Sequence, residues 1–262
     1  MSEGVADARW FQSHDDLTDA RVQLFCLPAA GMGASAYRNW QAALGPAFEV
    51  IAVQLPGREN RIGERPLPTV ELFVEQVTGP LLERADRPFA LFGHSLGALL
   101  SFEVAHELVR RGRPPAELFV SGLEAAHHRA PAPAEVHELP DPELLEYVLR
   151  LGGISSQERR HVEVLSLFLP TIRADFAAAA AYRYRSRPPL PVPITALAGR
   201  EDPLVDPRRL AAWAELSRAR VQTHLLPGEH FYLDTQRQAV LDIIRSALGS
   251  PDAAPAGASR AM

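Results

Sequence analysis

The chain of 262 residues contains no lysine, so all 27 of its Lys-plus-Arg positions are arginine. No side chain can therefore form a Schiff base, and lysine-dependent covalent mechanisms are excluded. Cys26 is the single cysteine, which rules out an internal disulfide and fits a reducing cytoplasm. No apolar run approaches the roughly 18 residues of a membrane-spanning helix, so a membrane role is not expected. Residues 1–19 are polar and acidic and lack the basic and apolar regions of a signal peptide. The net charge of −5 is mild and argues against nucleic acid as a partner. No internal repeat is visible. His127, His128 and His137 lack a metal-ligand spacing, and neither a metal nor a cofactor is expected. The apolar fraction of 47% nonetheless suffices for a full core in one domain of this length.

Short apolar runs at Val22–Leu27, Phe48–Val53, Phe89–Phe92, Glu117–Ser121, Ile194–Ala198 and Val221–Leu226 read as buried strands. Helical patterns over Ser35–Leu44, Val70–Ala85, Leu99–Arg111, Pro207–Leu216 and Asp234–Leu248 alternate with them. Such alternation predicts an α/β fold, a mostly parallel central sheet with helices on both faces. The alternation fails between about residues 123 and 191, where only the helical stretches Asp141–Leu151 and His161–Tyr184 stand out. An insertion of that size predicts a helical lid over the active face. Residues 21–248 are therefore read as the domain. Residues 1–20 are expected to be loosely ordered, and the Ala/Pro/Gly/Ser-rich stretch 249–262 to be a disordered tail.

Gly93-His94-Ser95-Leu96-Gly97 lies between a strand and a helix, the context in which G-x-S-x-G forms the nucleophile elbow of the α/β-hydrolase fold. A serine hydroxyl needs a base, and that base needs an orienting acid, in chain order Ser, acid, His. His230 follows the last strand in a loop and is the best base of nine histidines. The acid is sought after Ile194–Ala198, where Glu201 and Asp202 both qualify and Asp202 is preferred; Asp206 reads as the cap of the Pro207 helix. The oxyanion is expected to meet the backbone N–H of Leu96 and one from the loop Pro28-Ala29-Ala30-Gly31-Met32-Gly33, with Ala29 first choice and Ala30 second. That loop does not read as a nucleotide-binding turn, because no acidic residue closes a following strand.

In this order the motifs resemble the type II thioesterases that accompany polyketide and nonribosomal peptide synthases. Leu27-Pro28-Ala29-Ala30-Gly31 with Tyr37 and Trp40, Leu55-Pro56-Gly57-Arg58 with Arg61, Phe92 to Ala98, the helical stretches 144–153 and 170–184, and Gly228-Glu229-His230-Phe231-Tyr232 carry the resemblance across about residues 22–248. Ala29, Gly31 and Met32 depart from the family's first-loop pattern. The resemblance implies a cytoplasmic hydrolase, expected to be a monomer, that frees acyl groups from the phosphopantetheine arm of acyl- or peptidyl-carrier proteins. Met32, Phe168, Phe176, Tyr182 and Tyr184 are candidates for the acyl chamber, and Arg58, Arg61 and Arg65 for a rim that docks an acidic carrier. Three rivals stay open at this point: a small-molecule esterase or lipase, a cyclising terminal synthase domain, and a non-catalytic carrier-binding protein. A chain with its own Met1 and no linker favours the stand-alone hydrolase over the synthase domain.

Overall fold

The computed structural model describes residues 9–13, 19–128, 136–152 and 167–249. Seven strands, β1 (Phe11–Gln12), β2 (Val22–Leu27), β3 (Phe48–Val53), β4 (Phe89–His94), β5 (Leu118–Ser121), β6 (Ile194–Gly199) and β7 (Val221–Leu226), form one sheet in the order β1-β3-β2-β4-β5-β6-β7. All neighbours run parallel except β1, which pairs antiparallel with β3.

The strands read as continuous apolar runs because both faces are covered. Along β2, Phe25 and Leu27 enter one core and Leu24 and Cys26 the other, the alternation that a pleated strand imposes. Helices α2 (Val70–Arg84) and α3 (Leu96–Arg110) cover the first face; α1 (Trp40–Leu44) and α7 (Arg237–Leu248) cover the second. Strand order reverses between β2 and β4, since β3 lies on one side of β2 and β4 on the other. A crevice opens at the carboxyl ends of strands at such a reversal. The insertion contributes α4 (Asp141–Arg150) and α5 (Leu169–Ala181), which share a third apolar cluster built on Leu144, Leu145, Leu169 and Ile172. A short α6 (Pro207–Leu210) continues into the 3-10 turn Ala211–Leu216.

Several expectations need correction. Trp10 and Phe11 are not loosely held: both are buried, Phe11 pairs with Val53, and the Arg61 guanidinium lies 4.4 Å from the Trp10 ring centroid. The rest of the expected N-terminal segment falls mostly outside the described residues, as do positions 250–262 and 153–166, which include the start of the helix predicted from His161. The helix expected over Ser35–Leu44 is a 3-10 turn, Ala34–Tyr37, followed by α1. Strand β7 is not buried. As the sheet edge it has a strand on one side only, and Gln222 and Thr223 are exposed. Helix α3 begins at Leu96 rather than Leu99, directly after the elbow.

Candidate active site

Ser95 stands at the carboxyl end of β4, beside the strand reversal, with φ +54° and ψ −115°. A side chain in the left-handed region is held there only by its surroundings. Part of that hold is the Ser95 N–H, which donates to the Ser121 carbonyl at 2.8 Å. The flanking glycines follow from the tightness of the turn. A Cβ on Gly93 would lie 2.0 Å from the Gly97 carbonyl oxygen, and one on Gly97 would lie 2.1 Å from that of Leu27. Gly97→Ala is therefore expected to destabilise the protein by about 3 kcal/mol or more, because the backbones of the elbow and of β2 must part. A urea unfolding curve, with Ser95 labelling by a fluorophosphonate, checks this; an unchanged midpoint and labelling rate would refute it.

The His230 ring is brought to Ser95 by two interlocked loops. The Glu201 N–H donates to the Gly228 carbonyl at 3.2 Å, and the Glu201 carboxylate accepts from the Gly228 N–H at 2.7 Å. Of the two acids considered, Glu201 thus fastens the histidine loop, while Asp202 reaches the ring. His230 Nδ1 lies 2.8 Å from Asp202 Oδ2, and His230 Nε2 lies 2.9 Å from Ser95 Oγ. Asp202 Oδ1 accepts from the Leu204 N–H at 2.8 Å, which fixes the carboxylate plane. An ionised carboxylate only accepts, so Nδ1 carries the proton and Nε2 presents its lone pair to the hydroxyl. Both side chains of the acid–histidine pair are almost fully buried. Asp206 caps α6 through the Arg208 N–H, as expected.

A second tier lies behind the imidazole. The His94 ring centroid is 5.1 Å from that of His230. His94 Nδ1 is 2.9 Å from Ser121 Oγ, which is 2.6 Å from the Tyr232 hydroxyl. Burial, reinforced by His230, pushes His94 well below the usual histidine range, so it stays neutral. Sequence reasoning missed Ser121 and the place of His94, since a histidine inside the elbow and a serine ending a strand carry no spacing signal that joins them.

Acid should weaken the fold before any ordinary carboxylate titrates. Burial, with Arg187 adding to it, lowers His106 to about 3, and His94 is lowered by the causes just given. In the unfolded chain both bind protons near 6.5. Below that pH the unfolded state takes up protons that the folded state refuses, so stability falls as pH drops. Glu64 and Glu107, drawn down to about 2 chiefly by hydrogen bonds from Arg61 and Arg110, lose their contribution only below about 4.5. The urea midpoint should therefore be lower at about pH 5 than at about pH 7.5, and His106→Gln should lessen the difference. Equal wild-type midpoints would contradict this.

The loop expected to supply one oxyanion amide begins where β2 ends. Leu96 heads α3, and a helix's first amides lack intrahelical acceptors. Ala29 opens a turn closed by the Met32 N–H on the Ala29 carbonyl at 3.0 Å. Of the expected chamber residues, Phe168 and Phe176 pack against the cluster of inserted helices, Phe176 with its ring 5.8 Å from that of Tyr147. Met32, the last residue of the turn, is half-buried. Tyr182 is placed differently: it is buried in the main core, its hydroxyl donating to Glu103 at 2.6 Å. Tyr184 packs near His127, ring centroids 5.8 Å apart.

The arginine rim also needs correction. Arg58 is 2% exposed and locked to Asp175, while Arg61 is buried against Trp10 and paired with Glu64 at 2.7 Å; only Arg65 is exposed. A surface reading failed for Arg58 because its acid partner is 117 residues away, and for Arg61 because the Trp10 ring and the Gln54 carbonyl draw it inward. Among the described residues, His127, His128 and Glu215 place donor atoms within 4.8 Å of one another and could hold a cation at the surface. His137 instead lies 3.9 Å from Glu138.

A thioesterase-domain family model matches residues 22–248, which span the elbow, the acid loop and the histidine loop. The chain belongs to the thioesterase family. This thioesterase is 35% identical over 237 residues to the gramicidin S biosynthesis protein GrsT of Aneurinibacillus migulanus, covering 90% of this chain and 92% of the relative. It is 38% identical over 250 residues to a protein named linear gramicidin dehydrogenase LgrE, from Brevibacillus parabrevis, covering 94% and 95%. Among solved structures, the type II thioesterase BorB of the borrelidin cluster superposes with a TM-score of 0.87 at 38% identity, over 92% of this chain and 98% of that one. The thioesterase is thus a serine hydrolase acting on thioesters, with the α/β-hydrolase fold and the type II resemblance that its motifs announced. No helix among the described residues is long and apolar enough to cross a membrane.

Proposed function

We propose that this thioesterase clears acyl groups from the phosphopantetheine arms of carrier proteins in a polyketide or nonribosomal peptide synthase, acting as a stand-alone editing hydrolase. The observation that carries the reading is the hydrogen-bonded chain Ser95–His230–Asp202 at a strained elbow in a thioesterase chain. Ser95 Oγ attacks the thioester carbonyl as His230 Nε2 takes its proton, and the negative charge collects on the former carbonyl oxygen, facing the Leu96 and Ala29 amides. The C–S bond breaks, the thiolate leaves with the proton from His230, and the acyl group remains on Ser95. Water then attacks the ester with His230 again as base, freeing the acid and the serine. Asp202 steadies the imidazolium at both stages.

The reading calls on no cofactor of the enzyme's own, because the arm belongs to the partner. It also needs no second copy, since one chain completes the triad. A cytoplasmic monomer is the form it takes, with Met32, Phe168 and Phe176 nearest to the acyl chain. A dehydrogenase reading, raised by one relative's name, meets an obstacle in the loop after β2. The Gly31 N–H, which a dinucleotide phosphate would need, donates instead to the Asp175 carboxylate at 2.7 Å.

Mass spectrometry of a carrier protein loaded with an acyl group, set against hydrolysis of an oxygen ester of the same acyl chain, tests the proposal. The loaded carrier is expected to be cleared much faster. An intact acyl-carrier alongside ready ester turnover would replace the proposal with an esterase.

A further inference from the structure

A buried carboxylate on the inserted helix α5 needs explaining. Asp175 is 3% exposed, in a helix otherwise rich in alanine, and it forms a two-pronged pair with Arg58, 117 residues away in the chain. Arg58 Nη1 donates to Asp175 Oδ2 at 2.7 Å and Nη2 to Oδ1 at 2.9 Å. Buried ion pairs seldom add stability over apolar packing of the same volume, because desolvating both charges offsets their attraction. What they can do is fix geometry.

The geometry fixed here is that of the turn proposed to hold the oxyanion. Asp175 Oδ2 also accepts the Gly31 N–H at 2.7 Å, and Arg58 Nη1 also donates to the Met32 carbonyl at 3.1 Å. Gly31 has φ +76°, and the Met32 N–H returns to the Ala29 carbonyl, so residues 29–32 form a turn of type II character. In such a turn the central peptide can flip; the hydrogen bond to Asp175 holds its N–H end. The turn cannot drift outward either, since a Cβ on Gly31 would lie 2.4 Å from Ile172 Cγ1 on the same helix. Both candidate donors, Ala29 and Ala30, belong to this turn. Arg58 is itself pinned by the Pro56 carbonyl at 3.2 Å from Nε and from Nη2. The pair also borders a small cleft that Leu96, the other proposed donor, helps to line.

We propose that Asp175 and Arg58 are positioning residues that set the oxyanion turn, so that the inserted helix holds one half of the transition-state site in place. The inference rests on the reading of the Leu96 and Ala29 amides as oxyanion donors. Asp175→Leu alone would leave Arg58 charged, buried and unpaired, and would test folding more than chemistry. The informative enzyme is the double variant Arg58→Met/Asp175→Leu, which replaces the pair by apolar groups.

The double variant is expected to fold, melting several degrees lower because the Gly31 N–H and the Met32 carbonyl lose their partners, and to lose about 100-fold in kcat on a hexanoyl-N-acetylcysteamine thioester well below that temperature, with KM within about threefold. Its affinity for the matching trifluoromethyl ketone, whose serine adduct carries an oxyanion, should fall in parallel. Asp175→Asn, which keeps the shape, should show a smaller loss in the same two readouts. A folded double variant with undiminished kcat and ketone affinity overturns the inference, as does a kcat loss with ketone affinity unchanged. If wild-type enzyme itself binds the trifluoromethyl ketone no better than the methyl ketone, the oxyanion reading fails, and the inference with it.

Discussion

Ser95→Ala is expected to lower kcat for acyl-thioester hydrolysis by about a million-fold, with no change in fold. Removing Oγ takes away the group that His230 Nε2 meets at 2.9 Å. Water cannot simply take its place. The hydroxyl is delivered by a backbone held at φ +54°, whereas a water molecule there would have to be ordered anew at each turnover. The amides proposed to meet the oxyanion remain, so a residual rate above the uncatalysed reaction is expected. Alanine retains a Cβ at the same strained φ, so the melting temperature should stay close to that of wild type. Single-turnover release from a loaded carrier, followed by mass spectrometry, checks the rate. Turnover within tenfold of wild type would remove Ser95 from the chemistry and the serine mechanism along with it.

Asp202→Asn should cost about 10⁴-fold in kcat, and the local hydrogen bonds say why an isosteric change is so damaging. The Leu204 N–H donates to Oδ1 and needs an acceptor there. An asparagine meets that need with its carbonyl oxygen, which turns its NH₂ toward His230 Nδ1. Nδ1 must then offer its lone pair, the ring proton moves to Nε2, and a donor faces the Ser95 hydroxyl where a base is required. The variant should fold normally, label slowly with a fluorophosphonate, and recover rate at high pH, where hydroxide removes the need for the imidazole. A loss of less than tenfold would show that the ring keeps its tautomer without the carboxylate.

Much of this was legible in one dimension because the signals are local. Strands β2, β3 and β7 have the bounds expected from their apolar runs, since six residues between turn formers leave little freedom. Ser95 was legible because its elbow demands glycine two residues to either side. His230 and Asp202 were legible because chain order within this fold narrows each to one loop. Trp10 and Phe11 were not, because a two-residue edge strand has no period to read.

The amino-acid order by itself thus determined six of the seven strands, their mostly parallel arrangement and the three residues that meet in the chain Ser95–His230–Asp202, because short patterned segments and their order along the chain carry those properties. Only the tertiary structure decided that Arg58 and Asp175 form a buried pair, that Arg61 lies inside rather than on a docking rim, and that a neutral His94 stands behind the base. Charge on an arginine looks the same in any sequence. Whether it is solvated or buried depends on a partner 117 residues away, and folding brings that partner to 2.7 Å.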